Sequence, residues 1–270
     1  MNKEFNKGLL LAGFGSFWWG FFGVLYFKYI TFIGYIELVI HRCLWTTLTL
    51  ILTTFLFSKW DIFFKIIKSK QNLIYLFISG FLIFINWGVW IYAIATNRII
   101  DASFGYFIMP ILSVLLGYIF FKEKLNNKRI FSITLVILSI LYLIFVSLKS
   151  LPWVGLIVAL SWGFYNLVRK KINVDTDIGL LIESLFILPI AIIIFYMIAA
   201  KGYNDFSLSN PSMMLIIFLA GPMTVIPLFL YVRGVELCGL GPSGMIFYIT
   251  PTLQFLLGFF YYDEVFSFNK

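Results

Sequence analysis

Apolar stretches long enough to cross a lipid bilayer fill most of this sequence. A helix needs about 20 apolar residues to span roughly 30 Å of hydrocarbon, and nine segments of about that length can be marked along the chain. They cover residues 8–27, 33–57, 72–96, 102–121, 130–147, 152–169, 178–199, 212–232 and 242–262. Only short polar turns separate them, so no water-soluble domain is expected. The sequence therefore predicts an all-α integral membrane protein with nine transmembrane helices.

Composition agrees with this class and excludes others. Charged residues make up 12% of the chain and hydrophobic residues 61%, whereas a soluble domain carries roughly a quarter charged residues. A net charge of +8 would suggest nucleic acid in a soluble chain, but these basic residues lie in short loops between apolar segments. We expect a lipid bilayer and no nucleic acid as partner. Cys43 and Cys238 have no spacing suited to a metal or a disulfide framework, so both are interpreted as packing residues, with no metal or cofactor.

One membrane unit is written twice in the chain. Residues 108–117 read IMPILSVLLG, and residues 249–258, at an offset of 141, read ITPTLQFLLG. Glu123 and Glu264 close the two copies. A second motif, WGFF at residues 19–22, matches WGFY at residues 162–165 at an offset of 143. Repeats of this size in an apolar chain are typical of secondary transporters.

The charges of the loops predict the orientation of the two copies. With the N-terminus in the cytoplasm, fourteen lysines and arginines lie in inside segments and five in outside segments, with Arg42 left over inside a helix. This asymmetry follows the positive-inside rule. A first unit of five helices makes the second enter the membrane from the opposite face. The sequence thus predicts inverted repeats, which build a central cavity able to open to either side.

We assign residues 1–148 to the first repeat, with five transmembrane helices, and residues 149–270 to the second, with four. Lys128 and Arg129 lead into the fifth helix, but the aligned Asn269 and Lys270 end the sequence. The expected tenth helix is missing. Two alternatives remain open: a truncated product, or a nine-helix variant whose C-terminus lies outside the cell.

Several motifs resemble the RarD group of EamA-domain permeases, in the drug/metabolite transporter superfamily. The match runs through almost the whole chain. It rests on Lys7-Gly8, Trp19-Gly20, Glu37, His41-Arg42, Trp45, Asn86-Trp87, 102–110, Leu151-Pro152-Trp153, Arg169-Lys170, Val174-Asp175, Gly179, Glu183, Pro189, Gly221-Pro222, Pro227-Leu228 and 248–253. The resemblance implies a bacterial inner-membrane permease of ten helices, in a group named for chloramphenicol sensitivity. Met109 departs from it, because the resemblance leads us to expect Asn before Pro110.

Three polar residues of the second predicted helix are candidates for transport. Glu37 and His41 are four residues apart and share a helix face, while Arg42 is rotated by roughly 100°. An unpaired arginine at this depth costs about 2.5 to 3.5 kcal/mol on insertion scales. Arg42 should therefore face the bundle interior. It either forms a static pair with Glu37 or Glu183, or contacts the substrate or a proton directly.

Glu183 was expected near the start of its helix, as Glu37 is in the first repeat. Inverted symmetry would then place the two carboxylates at opposite ends of one pathway, as gates. Alternatively, each anchors its helix near the membrane interface. His41, the single histidine, is either their companion in proton coupling or a packing residue.

Further candidates lie in segments expected to line the interface between the repeats. An aromatic cavity suits apolar or cationic molecules, although a single aromatic residue can equally face lipid or core. Asparagines in hydrocarbon either bind substrate or join helices by hydrogen bonds. Prolines either free backbone carbonyls towards a cavity or kink helices for packing. The candidates are Asn86, Trp87, Tyr106, Tyr165, Asn166, Tyr248, Pro110 and Pro251.

Three classes of function were compared. The leading hypothesis is a secondary transporter that moves small organic metabolites or drugs, inwards or by efflux, through alternating access. No glycine-rich nucleotide-binding loop follows a strand, so coupling would come from an ion gradient, such as protons, or from substrate exchange. A membrane enzyme is disfavoured by the single histidine and the lack of metal spacing. The third class is a non-transporting membrane partner or inactive fragment. The oligomeric state stays open.

Overall fold

The computed structural model describes residues 3–123, 127–142, 153–206 and 211–263, and every regular element in these ranges is a helix. The elements are α1 (Lys3–Trp18), a π-helical turn (Trp19–Gly23), α2 (Val24–Tyr29), α3 (Tyr35–Leu56), α4 (Trp60–Ile67), α5 (Lys70–Ala95), α6 (Ile99–Phe121), α7 (Asn127–Tyr142), α8 (Trp153–Lys171), α9 (Thr176–Ala200), α10 (Pro211–Phe218), α11 (Ala220–Cys238), α12 (Leu240–Ile246) and α13 (Ile249–Phe260). The prediction of an all-α membrane protein is confirmed.

Seven stretches of the described chain are long and apolar enough to cross a membrane. They are Lys3–Tyr29, Tyr35–Leu56, Lys70–Ala95, Ile99–Phe121, Thr176–Ala200, Pro211–Cys238 and Leu240–Phe260. The two other predicted segments are not among these seven. They correspond to α7, which is described over 16 residues, and to α8, whose last turn carries three basic residues. The count of nine transmembrane helices therefore stays a prediction.

Several residues used in the sequence predictions lie outside the described ranges. These are Glu264, the predicted counterpart of Glu123, the pair Leu151-Pro152, the last part of the segment 130–147, and the C-terminal Asn269 and Lys270. Within the described ranges, Glu123 caps a helix. Its carboxylate accepts hydrogen bonds from the backbone N–H groups of Leu240 and Gly241, each at 3.0 Å, at the start of α12.

The helices pack into a bundle whose centre lies between α3, α5, α9 and α11. In this centre α3 packs on α9, α5 on α9 and α3 on α11. Around it, α1 packs on α11, α8 packs on both α5 and α6, and α6 packs on α12 and α13. Apolar side chains on the outer faces, such as Phe14, Phe81 and Ile193, are more than half exposed. A bilayer would cover these faces.

The two repeated proline motifs have different backbone conformations. Pro110 lies inside the continuous helix α6, whereas Pro251 lies in the first turn of α13, just after a break at residues 247–248. Pro110 therefore does not end its helix. A proline in a membrane helix removes one backbone hydrogen bond without ending the helix if neighbouring groups satisfy the freed carbonyl.

Glycines allow α6 and α8 to approach until their backbones touch. A Cβ atom at Gly105 would clash with the backbone carbonyl of Gly155. Small residues at such crossings gain van der Waals contact, which drives helix association in lipid. Gly88 on α5 is different, because a Cβ there meets no heavy atom within 4 Å.

We predict that Gly105→Ala destabilises the bundle and Gly88→Ala does not. Overpacking costs about 1–3 kcal/mol, whereas an unhindered Gly→Ala change in a helix gains up to about 1 kcal/mol. Thermal unfolding of the purified variants in detergent measures both effects. Equal unfolding midpoints for the two variants would contradict the close contact of α6 with α8.

Candidate functional site

The guanidinium of Arg42 is fully buried inside a cage of aromatic rings. Its central carbon lies 4.6 Å from the ring centres of both Phe27 and Trp87, 5.0 Å from Trp19 and 5.4 Å from Trp90. Ring faces attract a cation, by about 2 kcal/mol or more for a desolvated pair. The cage therefore lowers the cost of holding this charge away from water.

The hydrogen bonds of Arg42 are incomplete. Its Nε–H donates to the hydroxyl of Thr224 on α11 at 3.1 Å. Its two terminal nitrogens, Nη1 and Nη2, have no hydrogen-bond partner among the residues that the structure describes. A guanidinium carries five N–H donors, so four of them lack an acceptor. Aromatic faces attract the charge but do not replace in-plane acceptors.

The static pair of Arg42 with Glu37 or Glu183 is absent from the described part of the chain. Both carboxylates are buried, but each is bound to other groups. The alternative that Arg42 is neutralised by a neighbouring acid is therefore wrong for this conformation. Arg42 is a buried cation with open donors.

Glu37 ties a loop to the start of α3. Its carboxylate accepts hydrogen bonds from the backbone N–H groups of Asp205 at 2.7 Å and Phe206 at 2.9 Å. His41 Nε2 lies 3.3 Å from the same carboxylate, and its ring packs 4.7 Å from the ring of Phe206 and 5.4 Å from that of Phe195. Glu37 and His41 lie close together, as their spacing predicted, and Glu37 attaches the loop at residues 205–206 to the start of α3.

Glu183 forms a buried network with α5 and α8. Its carboxylate accepts hydrogen bonds from the hydroxyls of Ser79 at 2.6 Å and Tyr165 at 3.2 Å, and lies 3.5 Å from Nη1 of Arg169. Arg169 is 1% exposed and reaches the acid Glu236 at 3.8 Å. Removing one partner of a buried ion pair leaves an uncompensated charge.

Arg169 was not among the predicted site residues, since it looked like one of three consecutive basic residues at a helix end. Its side chain instead turns inwards. The space for its guanidinium comes from Gly179, where a Cβ atom would clash with Nη1 and lie within 2.8 Å of Nη2. The combination of Arg169 with Gly179, early in the next helix, is the signal that the sequence offered.

Glu183 lies deeper in its helix than expected. Glu37 is the third residue of α3, but Glu183 is the eighth residue of α9, level with Arg42, which is the eighth residue of α3. Seven residues correspond to about 10 Å along a helix. The eighth residue of α3 is therefore a cation with open donors, and the eighth residue of α9 is an anion with hydrogen-bond and ion-pair partners.

A small cavity lies beside Glu183 and one ring of the aromatic cage. Trp87 of the aromatic cage and Glu183 both line it, with room for about one water-sized molecule. The remaining lining residues come from α3, α5, α9 and α11 and are mostly apolar: Thr46, Leu50, Ile83, Leu180, Ser184, Ile187, Val225 and Leu228.

Two other predicted residues join helices. The Nδ2 atom of Asn86 donates to the Val158 carbonyl and the Ser161 hydroxyl, both at 3.1 Å, and its Oδ1 atom accepts from the Tyr106 hydroxyl at 3.2 Å. These bonds connect α5 to α6 and α8. Because its donors and its acceptor are engaged within the bundle, Asn86 fits the alternative in which it joins helices rather than binding substrate.

The last three predicted residues lie on α8 and beside α13. Asn166 donates to the Trp162 carbonyl at 2.8 Å, while its Oδ1 has no partner in the described ranges. Tyr165 bonds to Glu183 rather than facing an empty cavity. Tyr248 is partly buried, with its ring 6.1 Å from that of Phe107. The predicted residues thus divide into an Arg42 centre, a Glu183 centre and structural contacts.

This helical fold, with seven candidate membrane spans among the described residues, is that of a multi-pass membrane protein. The model of the EamA-like transporter family matches residues 6–145. The chain is 33% identical to the uncharacterized transporter YojE of Bacillus subtilis, over 100% of this chain and 90% of that protein. It is also 33% identical to the protein RarD of Escherichia coli, over 97% of this chain and 88% of that protein. A chloramphenicol-sensitive protein RarD of Pseudomonas aeruginosa is 23% identical over 86% of this chain and 78% of that protein.

The chain belongs to the EamA-like transporter family, as a permease of the RarD type. The resemblance stated from the motifs is confirmed. The family and the Bacillus subtilis relative are both named as transporters, and the chain is a membrane transporter.

We predict that Arg169→Met destabilises the protein strongly and that Glu183→Gln in the same chain restores much of the loss. Breaking a buried pair costs about 3–5 kcal/mol, while glutamine keeps an acceptor for Ser79 and Tyr165 without the unpaired charge. The four proteins of this double-mutant cycle are compared by thermal unfolding. Additive losses in the double variant would show that the two side chains are not coupled.

Proposed function

We propose that this chain is a secondary transporter that moves small organic metabolites or drugs across the bacterial inner membrane by alternating access. The observation that carries the proposal is Arg42, a buried cation with open donors. Its ring neighbour Trp87 lines a cavity between α3, α5, α9 and α11. Two of these helices belong to each predicted repeat. Ionisable groups at this depth mark substrate or ion pathways.

The packing supports inverted repeats. The contact of α1 with α11 corresponds to that of α8 with α5, and α3 packs on its own counterpart α9. Single residues repeat the pattern: a Cβ at Gly20 would touch Leu253, and one at Gly163 would touch Leu112. Leu112 and Leu253 are related by the offset of 141 residues. Two copies of one unit thus use the same contacts on each other.

The helix ends make similar contacts in the two predicted repeats, through Lys28 in the first and Lys170, the neighbour of the aligned Lys171, in the second. Lys28 donates to the backbone carbonyl of Ile94 at 3.0 Å, and Lys170 donates to that of Val235 at 3.2 Å. Ile94 and Val235 are again 141 residues apart. Each repeat therefore ties the end of its first helix to the end of its third helix.

The two predicted repeats differ in backbone conformation at two matching motifs. The motif at Trp19 forms a π-helical turn, whereas the matching motif at Trp162 lies in regular α-helix. The motif at Pro110 is continuous, whereas that at Pro251 follows a helix break. If the repeats exchange these conformations, the cavity opens to the opposite face.

We propose nine transmembrane helices, with α7 and α8 added to the seven apolar spans, and a cytoplasmic N-terminus. The basic loops of the first repeat support this orientation. Protons are the proposed coupling ion, supported by the buried Glu37–His41 pair.

Side-specific labelling of a single cysteine tests alternating access without a known substrate. Cys43 and Cys238, both buried, are replaced by alanine, and Ser184, which lines the cavity and is 4% exposed, is replaced by cysteine. We expect an impermeant maleimide to label this cysteine in right-side-out and in inside-out vesicles. Alternating access presents the position to each face in turn.

Two control cysteines establish the orientation in the same vesicles. Tyr203→Cys, in a loop where the side chain is 76% exposed, should react only from outside, and Lys65→Cys on α4 only from inside. Labelling of Ser184→Cys from one face only, or from neither, would contradict alternating access and favour a non-transporting membrane partner.

A further inference from the structure

We infer that the Arg42 centre binds a carboxylate and that the transported molecule is a monoanion with an apolar body. This inference rests on the proposed function and names its substrate class. In the described part of the chain the cage supplies donors without acceptors. The two terminal nitrogens of Arg42 have no hydrogen-bond partner, and neither do the indole N–H groups of Trp19, Trp87 and Trp90.

An acceptor with negative charge satisfies this set best. A carboxylate binds the two terminal nitrogens of a guanidinium by two parallel hydrogen bonds, which are roughly twice as strong as bonds between neutral groups. A cationic substrate would be repelled by Arg42, and a neutral apolar one would leave the donors unpaired. The earlier expectation of apolar or cationic molecules, drawn from aromatic content alone, is therefore replaced.

The charge balance favours one negative charge. Glu183 is paired with Arg169, and the Glu37 carboxylate accepts two backbone hydrogen bonds and lies beside His41. Neither acid neutralises Arg42, whereas the charge of Arg169 is balanced by Glu183. The centre thus has one uncompensated positive charge. A monocarboxylate cancels it, whereas a dianionic phosphate would leave a negative charge in an apolar site, which is costly.

The apolar body is assigned to the cavity that adjoins the cage. Trp87 belongs to both, and Leu50, Ile83, Val225 and Leu228 provide apolar walls. The present volume holds only about one water-sized molecule. A larger body therefore requires the outward or inward movement that alternating access supplies.

Three probes of matched size and different charge test this inference. Phenylacetate, phenylacetamide and phenethylamine share a phenyl group and differ in carrying a carboxylate, a neutral amide or an ammonium. The purified full chain is titrated with each, and the unfolding midpoint and the tryptophan fluorescence are recorded. Bound ligand raises the midpoint, and the tryptophans of the cage report binding locally. We expect a concentration-dependent response to phenylacetate and none to the other two.

Variants locate the response at the predicted residue. Arg42→Gln should weaken phenylacetate binding by about 10- to 100-fold, the effect expected for charged hydrogen bonds. Arg42→Lys keeps the charge but loses the planar fork and should be intermediate. Arg98→Gln is the matched control, because Arg98 contacts a tryptophan ring but is paired with Asp101 at 2.7 Å; it should bind as the unaltered chain does.

Three results would overturn the inference: a response to phenylacetamide or phenethylamine equal to that of phenylacetate, unchanged binding by Arg42→Gln, or no response to any probe. If Arg42→Gln does not fold, the comparison of the three probes on the unaltered chain decides. Failure of alternating access is separate, since it appears in the labelling of Ser184→Cys whether or not phenylacetate binds.

Discussion

The interior of the bundle encloses a buried charge, the guanidinium of Arg42, which contacts four aromatic rings and a single hydroxyl. The rings come from the π-helical turn, α2 and α5, and the hydroxyl comes from α11. Each of these elements must keep its position for the charge to stay shielded. The π-helical turn begins at Trp19, whose ring contacts Arg42 and lies 5.8 Å from the ring of Trp162.

The second charge centre differs from the first, because its carboxylate has partners within the chain. Glu183 has a cation and two hydroxyls within reach, so its charge is balanced inside the chain. Arg42, at the corresponding position of α3, has no such balance among the described residues. Buried charges in proteins are normally paired. The difference between these two centres is the reason to assign binding to Arg42 and the maintenance of the bundle to the Arg169–Glu183 pair.

Much of this arrangement was predictable from the sequence. Segment length and apolar content predicted the membrane fold, and the motifs identified the RarD-type family. The depth of Arg42 predicted that it would face the interior. Its aromatic neighbours were not predictable, because they come from segments far apart in sequence, such as Trp19 and Trp87. With aromatic residues making up 20% of the chain, no single one stands out before the helices are packed.

Two features of the site were not predictable from the sequence. The depth of Glu183 relative to Glu37 depends on where α9 begins, and helix starts are the least certain part of a sequence prediction. Arg169 is one of three consecutive basic residues at a helix end, where positive residues commonly collect at the cytoplasmic face. Only the space left by Gly179 reveals that its side chain turns inwards. The depth of Glu183 and the orientation of Arg169 both depend on how the helices pack, which the sequence pattern does not specify.

The account's central claim is that Arg42 is present for binding, at a cost to stability. Its most direct test is the unfolding midpoint of Arg42→Met in the absence of ligand. Methionine has a similar length, packs against aromatic rings and removes a desolvated charge with four unpaired donors. Apolar replacement of buried charges is often neutral or stabilising. The account predicts an unfolding midpoint equal to or above that of the unaltered chain. A fall of several degrees would contradict it, because Arg42 would then be a structural residue.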